Sequence, residues 1–202
     1  MGWQIMMNSC KSFFYCIILC LSVGNVLFSA ENAEKAMVPS VSEEYYILFD
    51  RLLQLQYGIM PKNKSREVID GFKKLAEQGD ILAAAIYADF ENDHSIYQTI
   101  FPKMLVLARQ GNTLACLRLC SAYRFGYGVE KNPEQAEFWR KKYRQLRLSA
   151  LAQDDPVTMW EEIFLISLDG GDKKEIPELL KKLEKYGSVT AAFLLKQFNS
   201  AK

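Results

Sequence analysis

Two eleven-residue stretches constrain this chain more than anything else in it. "LAEQGDILAAA" begins at Leu75 and "LARQGNTLACL" at Leu107, an offset of 32 residues, and they agree at Leu, Ala, Gln, Gly, Leu and Ala. A third stretch, "LEKYGSVTAAF" from Leu183, keeps the glycine (Gly187) and the small residue four positions later (Ala191). A period of this length is the mark of stacked helical hairpins, in which each unit buries its apolar face only against its neighbours. The glycine supplies the positive φ that lets one helix stop and the next begin within two residues. Ala83, Ala115 and Ala191 then let the helices approach closely.

The remaining chain agrees with that reading. Between Ser40 and Lys202 apolar residues recur at helical spacing, breaks contain glycine or proline, and alternation of the kind a strand needs is nearly absent. The first amphipathic segment starts at Ser40 or Ser42, where Ser40 with Glu43 makes a capping box, and runs to Tyr57-Gly58 with Tyr45, Leu48, Phe49, Leu52 and Leu55 on one face. A second helix follows Pro61 to about Glu77 on a stripe of Val68, Ile69, Phe72, Leu75 and Ala76. Beyond Asp155-Pro156 a helix carries Met159, Trp160, Ile163, Phe164 and Leu168 up to Gly170-Gly171, and its partner runs from Lys173 to Tyr186. The expectation is an all-α chain of about nine helices, arranged as an α-solenoid of stacked antiparallel hairpins.

One unit is complete enough to carry a resemblance. In the segment from Ala108 to Trp139, Ala108, Gly111, Ala115, Leu119, Tyr123, Gly126, Gly128, Val129, Ala136 and Trp139 stand at the positions of a Sel-1-like repeat, a relative of the tetratricopeptide repeat. Asn132 reads as a cap, Pro133 as the first helical residue and Gln135 as the partner in a capping box. The stretch departs from the family at Cys120, where glycine is usual, and at Asn132, where aspartate is usual. In the preceding unit Ala76, Gly79, Ala83 and Ala84 fit, but Glu91 takes the tyrosine position and Asn92-Asp93-His94-Ser95 replaces the Gly-x-Gly-Val turn. The resemblance covers about residues 64–143 and implies a TPR-like scaffold. The Gly126-Tyr127-Gly128-Val129 stretch is then a bend between helices, since a glycine pair with no strand before it and no lysine after it is a poor phosphate loop.

The first thirty residues differ in character. Lys11 precedes an uncharged apolar block from Ser12 to Leu21 that weakens at Gly24-Asn25, shorter than the roughly 18 to 20 residues that span a bilayer. It reads as a signal peptide over residues 1–30, cleaved near 24–30, after Gly24 or after Ala30, leaving a repeat domain over 31–202. The alternative is an uncleaved envelope anchor. Three of the five cysteines fall in this segment, leaving Cys116 and Cys120 one helical turn apart. Residues i and i+4 hold their Cβ atoms about 5 to 6 Å apart, too far for a disulfide, so both are expected as buried free thiols. Without a disulfide framework, packing must hold the body together. Apart from Lys11 the first thirty residues carry no charge, and the 25 lysines and arginines against 24 acidic residues of the whole chain leave a neutral body. Neutrality argues against nucleic acid as a partner.

No Ser-x-x-Lys, Gly-x-Ser-x-Gly, His-Glu-x-x-His or phosphate-loop pattern occurs, so no catalytic, cofactor or metal residues are assigned and the chain is not expected to be an enzyme. His94 reads as a solvated turn residue, and Asp155 as the cap of a helix whose first residue is Pro156. The lysines at 173, 174, 181 and 182, interspersed with Glu175, Glu178 and Glu184, read as a solvated helix face. In stacked hairpins the first helices line a concave surface, which is the default contact site. There Ala115, Leu119 and Tyr123 are committed to packing, leaving Arg118, Ser121 and Arg124 for contact, with Tyr87 and Asp89 on the helix before and Trp160 and Glu161 on the helix after. Resemblance to this adaptor family implies an exported, periplasmic or secreted scaffold that binds a protein or peptide, and more narrowly an immunity protein against an interbacterial toxin. The alternatives are an enzyme acting on the cell wall or on β-lactams, which the resemblance implies because some secreted members of that family are associated with penicillin binding, and a structural component of the envelope.

Overall fold

Nine α-helices and one 3-10 turn account for the regular structure among the described residues, 41–169 and 174–200, of this computed structural model. The helices are α1 (Glu43–Gln56), α2 (Ser65–Glu77), α3 (Ile81–Glu91), α4 (His94–Arg109), α5 (Thr113–Phe125), α6 (Pro133–Ala152), α7 (Pro156–Asp169), α8 (Ile176–Lys185) and α9 (Val189–Ser200), with the 3-10 turn Lys62–Lys64 leading into α2. The expected leader with both of its expected cleavage points, Ser40, the Gly170-Gly171 break, Lys173 and the side chain of Leu168 lie outside the described residues. Ser42 opens α1, its hydroxyl accepting the Tyr45 N–H at 3.1 Å. Among the described residues no helix is long and apolar enough to cross a membrane.

The connections show why the sequence repeats. At Gly79, Gly111 and Gly187 φ is 99, 97 and 83°, and the next backbone N–H returns to a carbonyl five residues earlier: Asp80 to Leu75 at 3.0 Å, Asn112 to Leu107 at 3.1 Å and Ser188 to Leu183 at 3.1 Å. This is the Schellman closure, which satisfies carbonyls left open at a helix end. The residue that closes one helix also caps the next, because Asp80 Oδ1 accepts from Ala83 N at 2.9 Å, Asn112 Oδ1 from Ala115 N at 2.8 Å and Ser188 Oγ from Ala191 N at 3.0 Å. Two residues therefore end one helix, reverse the chain and start another.

A fourth copy of this turn was hidden in the sequence. Asp154, at φ 56°, takes the glycine's place, Asp155 N–H reaches Ala150 O at 3.0 Å, and Asp155 Oδ2 accepts from Thr158 N at 2.8 Å. Asn92 and Asp93 make a fifth, with φ 52° at Asn92 and Asp93 N–H on Ala88 O at 3.0 Å. Aspartate and asparagine tolerate the left-handed region better than other side chains do.

The longer α5–α6 connection is a bend, as expected. Gly126 closes α5 at φ 82°, and Asn132 Oδ1 accepts from Gln135 N at 3.0 Å to start α6 at Pro133. Gly128 is required twice over, by its φ of 68° and by crowding: a Cβ there would stand 2.5 to 2.7 Å from backbone atoms of Tyr97 and Gln98. Tyr127, between the two glycines, stacks on His94 with ring centroids 4.5 Å apart. His94 is exposed, as read from sequence, but it is the first residue of α4 and its ring is held by that stacking.

The helices divide into two kinds. α2, α4 and α8 bury a single stripe, such as Val68, Phe72 and Leu75 on α2 or Ile176, Leu180 and Leu183 on α8. α5 is buried over ten of its 13 residues and packs against α3, α4, α6 and α7. A helix buried on nearly every side must be surrounded by others. Cys116 and Cys120 lie on it as free, buried thiols, and burial pushes the Cys116 thiol up to about 12.

The first and last of the described helices, α1 and α9, also touch. The Asp50 carboxylate on α1, itself buried, accepts from Ser188 Oγ at 2.5 Å and from the Val189 and Thr190 N–H groups at 3.1 and 3.4 Å. It thus sits on the N-terminus of α9, where unpaired N–H groups and the helix dipole favour a negative charge.

Candidate functional site

The charged residues nominated from sequence converge, but in the interior. Arg118 on α5 is 3% exposed and donates through Nη1 to Asp89 Oδ2 on α3 at 2.6 Å. Tyr97 on α4 donates its hydroxyl to Asp89 Oδ1 at 2.7 Å. Tyr45 of α1 lies close enough for Arg118, Asp80 and Glu161 to act on its hydroxyl electrostatically. On the far side, Glu161 of α7 is buried and accepts from Tyr143 OH of α6 at 2.8 Å. Arg147 of α6 faces Glu162 of α7 at 3.1 Å. Six helices thus contribute to one polar cluster centred on Arg118 and Glu161.

Each charge state has a cause. Burial works against the Arg118 guanidinium, but the Asp89 carboxylate and the tyrosines at 97 and 45 more than offset it, so its pKa moves upward and the charge is permanent. Burial pushes Glu161 up to about 8; the Tyr143 hydrogen bond, Arg118 and Arg147 pull the other way and Asp155 adds to the rise. Glu161 is therefore largely protonated at neutral pH. Burial likewise raises Tyr45, Tyr97 and Tyr143, so these hydroxyls act as donors. Arg118 Nε and Nη2, Tyr45 OH, Trp160 Nε1 and Glu161 Oε1 make no hydrogen bond of ordinary geometry, although Tyr45 stands within reach of Arg118 and Tyr46 within reach of Trp160.

Arg118, Ser121, Trp160 and Glu161 were expected to face outward on a concave surface, and in the structure all four are buried. Tyr87 is half-buried against the core, and Asp89 is held by Arg118 and Tyr97. Arg124 alone of the seven stays exposed. The physical reason is α1. Tyr45 approaches Arg118 and Glu161, and Tyr46 approaches Trp160 and Ser188, so the first helix covers the face the later ones would have presented. Helical spacing had placed Tyr45 on an inward face without showing what it faces. Tyr97 and Tyr143 were missed, although a tyrosine on a buried stripe, as Tyr97 is with Ile100, Met104 and Ala108, signals a hydroxyl in need of a partner.

The cluster combines tyrosine donors, the Arg118–Asp89 and Arg147–Glu162 pairs and the buried Glu161, an arrangement that ties helices together. Among the described residues no group of three or more His, Cys, Asp or Glu side chains is placed to hold a metal ion. A shallow groove of about 230 Å³ between α1 and α2 is lined by Glu44, Ile47, Leu48, Gly71, Lys74, Leu75 and Gln78. No protein-family model, curated protein or solved structure matches the chain.

Proposed function

We propose that this chain is an exported, non-enzymatic Sel-1-like repeat protein, a helical solenoid that binds another protein or peptide, and in its narrower form an immunity protein that neutralises a toxin. The observation that supports this is the recurrence of one turn: the same Schellman closure and shared cap at Gly79, Gly111, Asp154 and Gly187 join successive helical units. Arrays built this way create an extended surface whose outward residues vary while the turns do not, a design suited to recognition. With Arg118, Trp160 and Glu161 buried beneath α1, contact in the native state falls on outward faces, of which Arg124 is one exposed element.

The test is crosslinking of the tagged full-length chain in the envelope of its native host, followed by reconstitution of the captured complex from purified components. A saturable, stoichiometric complex supports the reading. A toxin encoded beside this chain, whose growth inhibition is relieved by co-expression, supports the narrower form. A covalent adduct after incubation with a labelled β-lactam would reject the binding reading in favour of catalysis.

A further inference from the structure

The neutral total conceals a strong segregation of charge. Residues 94–153 hold ten lysines and arginines against three glutamates, while the flanking parts of the body are acidic. Half of these basic residues lie on α6, whose run from Arg140 to Arg147 contains five of them and no acid. Arg140 grips Glu137 through Nε and Nη2 at 2.6 and 2.7 Å, Arg147 faces Glu162, and Lys141 and Arg144 act on Glu137 electrostatically. Lys141 is exposed and Lys142 half-exposed. The α4–α5 turn lies against the same helix, since a Cβ on Gly111 would stand 3.9 Å from Leu146 Cδ2. Exposed Arg109, two residues before it, adds to the positive field.

The outward face of α6 has a register of its own. Its inward stripe is Ala136, Trp139, Arg140, Tyr143 and Ala150. On the opposite side Glu134, Phe138, Lys141, Gln145 and Leu148 are all exposed, at spacings of four and three residues. That spacing places them on one face of the helix, with Phe138 and Leu148 apolar and the other three polar, and Lys142 falls beside that face, where a charge helps to choose a partner helix. Phe138 and Leu148 are 56% and 58% exposed, about 15 Å apart along the axis. Single exposed apolar residues are ordinary. Two on one face, with Lys141 and Lys142 between them in sequence, make a helix-docking face.

We propose that the outward face of α6 docks an acidic amphipathic helix of a partner protein, with Phe138 and Leu148 as apolar anchors and Lys141 and Lys142 pairing with its carboxylates. This rests on the reading of the chain as a binding protein and moves the contact from the covered inner face to the outer one. A second copy is disfavoured, because it would set the positive face against itself. A membrane surface is disfavoured too, because a lysine and a glutamine separate the two apolar anchors.

The experiment uses the full chain and a fluorescent, designed heptad peptide with leucines on its seam and glutamates on its flanks, read by anisotropy at low and physiological salt. Controls are the same peptide with lysine flanks, duplex DNA and phosphatidylglycerol vesicles. The acidic peptide is expected to bind saturably and the lysine peptide not. Lys141→Glu with Lys142→Glu, and separately Phe138→Ala with Leu148→Ala, should each weaken binding about tenfold with circular dichroism unchanged. Equal binding of both peptides, indifference to the substitutions, or tighter binding to DNA or vesicles would overturn the proposal. A natural partner that binds all variants equally would also overturn it, while leaving the wider reading in place.

Discussion

Replacing Asp50 by alanine should detach α9 from α1. The buried carboxylate accepts from the Ser188 hydroxyl, the Val189 and Thr190 N–H groups and Gln54 Nε2, the last at 2.9 Å. Val189 is exposed, so water can take over its N–H, but Ser188 and Thr190 are buried and would be left with donors unsatisfied. A hydrogen bond to a charged group contributes about 1.5–3 kcal/mol, and a charge at a helix N-terminus adds about 0.3–1 kcal/mol. The expected loss is about 3 kcal/mol, which for a chain of this size lowers Tm by roughly 6–12 °C. Asp50→Asn keeps one acceptor oxygen and should lose about half as much. Denaturation followed by circular dichroism measures the loss, and hydrogen exchange should show protection vanishing first at the amides of α9. A double-mutant cycle with Ser188→Ala should return a coupling of about 1 kcal/mol or more. A loss under about 1 kcal/mol with α9 protection intact would mean that the two ends do not hold each other through this carboxylate.

Three further outcomes follow from the geometry. Gly128→Ala should destabilise by more than about 2 kcal/mol in chemical denaturation, because the new Cβ meets backbone of Tyr97 and Gln98, whereas at Gly126 it meets first the flexible Lys131 side chain and should cost about 1 kcal/mol. Arg118→Ala, which strands Asp89 in a largely buried site, should cost about 3–5 kcal/mol, while Arg124→Ala on the surface should stay within about 0.5 kcal/mol. Glu161 has a folded pKa near 8 against about 4.3 in an unfolded chain. The folded state therefore holds the extra proton, and its stabilising contribution, full below the unfolded value, is lost as pH rises through the folded one. Relative to Glu161→Gln, the wild-type chain should lose stability across that window, and parallel curves would refute the assignment.

Much of the local structure was legible from residue types. Gly111-Asn112 and Asn132-Pro133 announced their turns because positive φ, side-chain capping and a fixed proline φ are properties of single residues. The copy at Asp154 escaped notice for the same reason: it uses an aspartate where its siblings use glycine, so identity of geometry is not identity of sequence. The seven nominated contact residues show the boundary most clearly. Helical spacing set Arg118 apart from Ala115 and Leu119 as a contact residue, yet all three are buried, because spacing could not count how many sides of α5 are covered.

By itself, then, the sequence determined the all-helical content, the places where helices begin and end, and the faces on which apolar side chains gather, all set by interactions within a few residues. Only the tertiary structure decided that α1 lies over the inner helices and reaches α9, and hence that Arg118, Trp160 and Glu161 are interior. Those contacts join positions as distant as Asp50 and Ser188, and no periodicity records them. Local spacing carries the direction of a side chain from its helix axis. What stands in that direction depends on how all nine helices pack, and that was settled by shape and charge across the whole array.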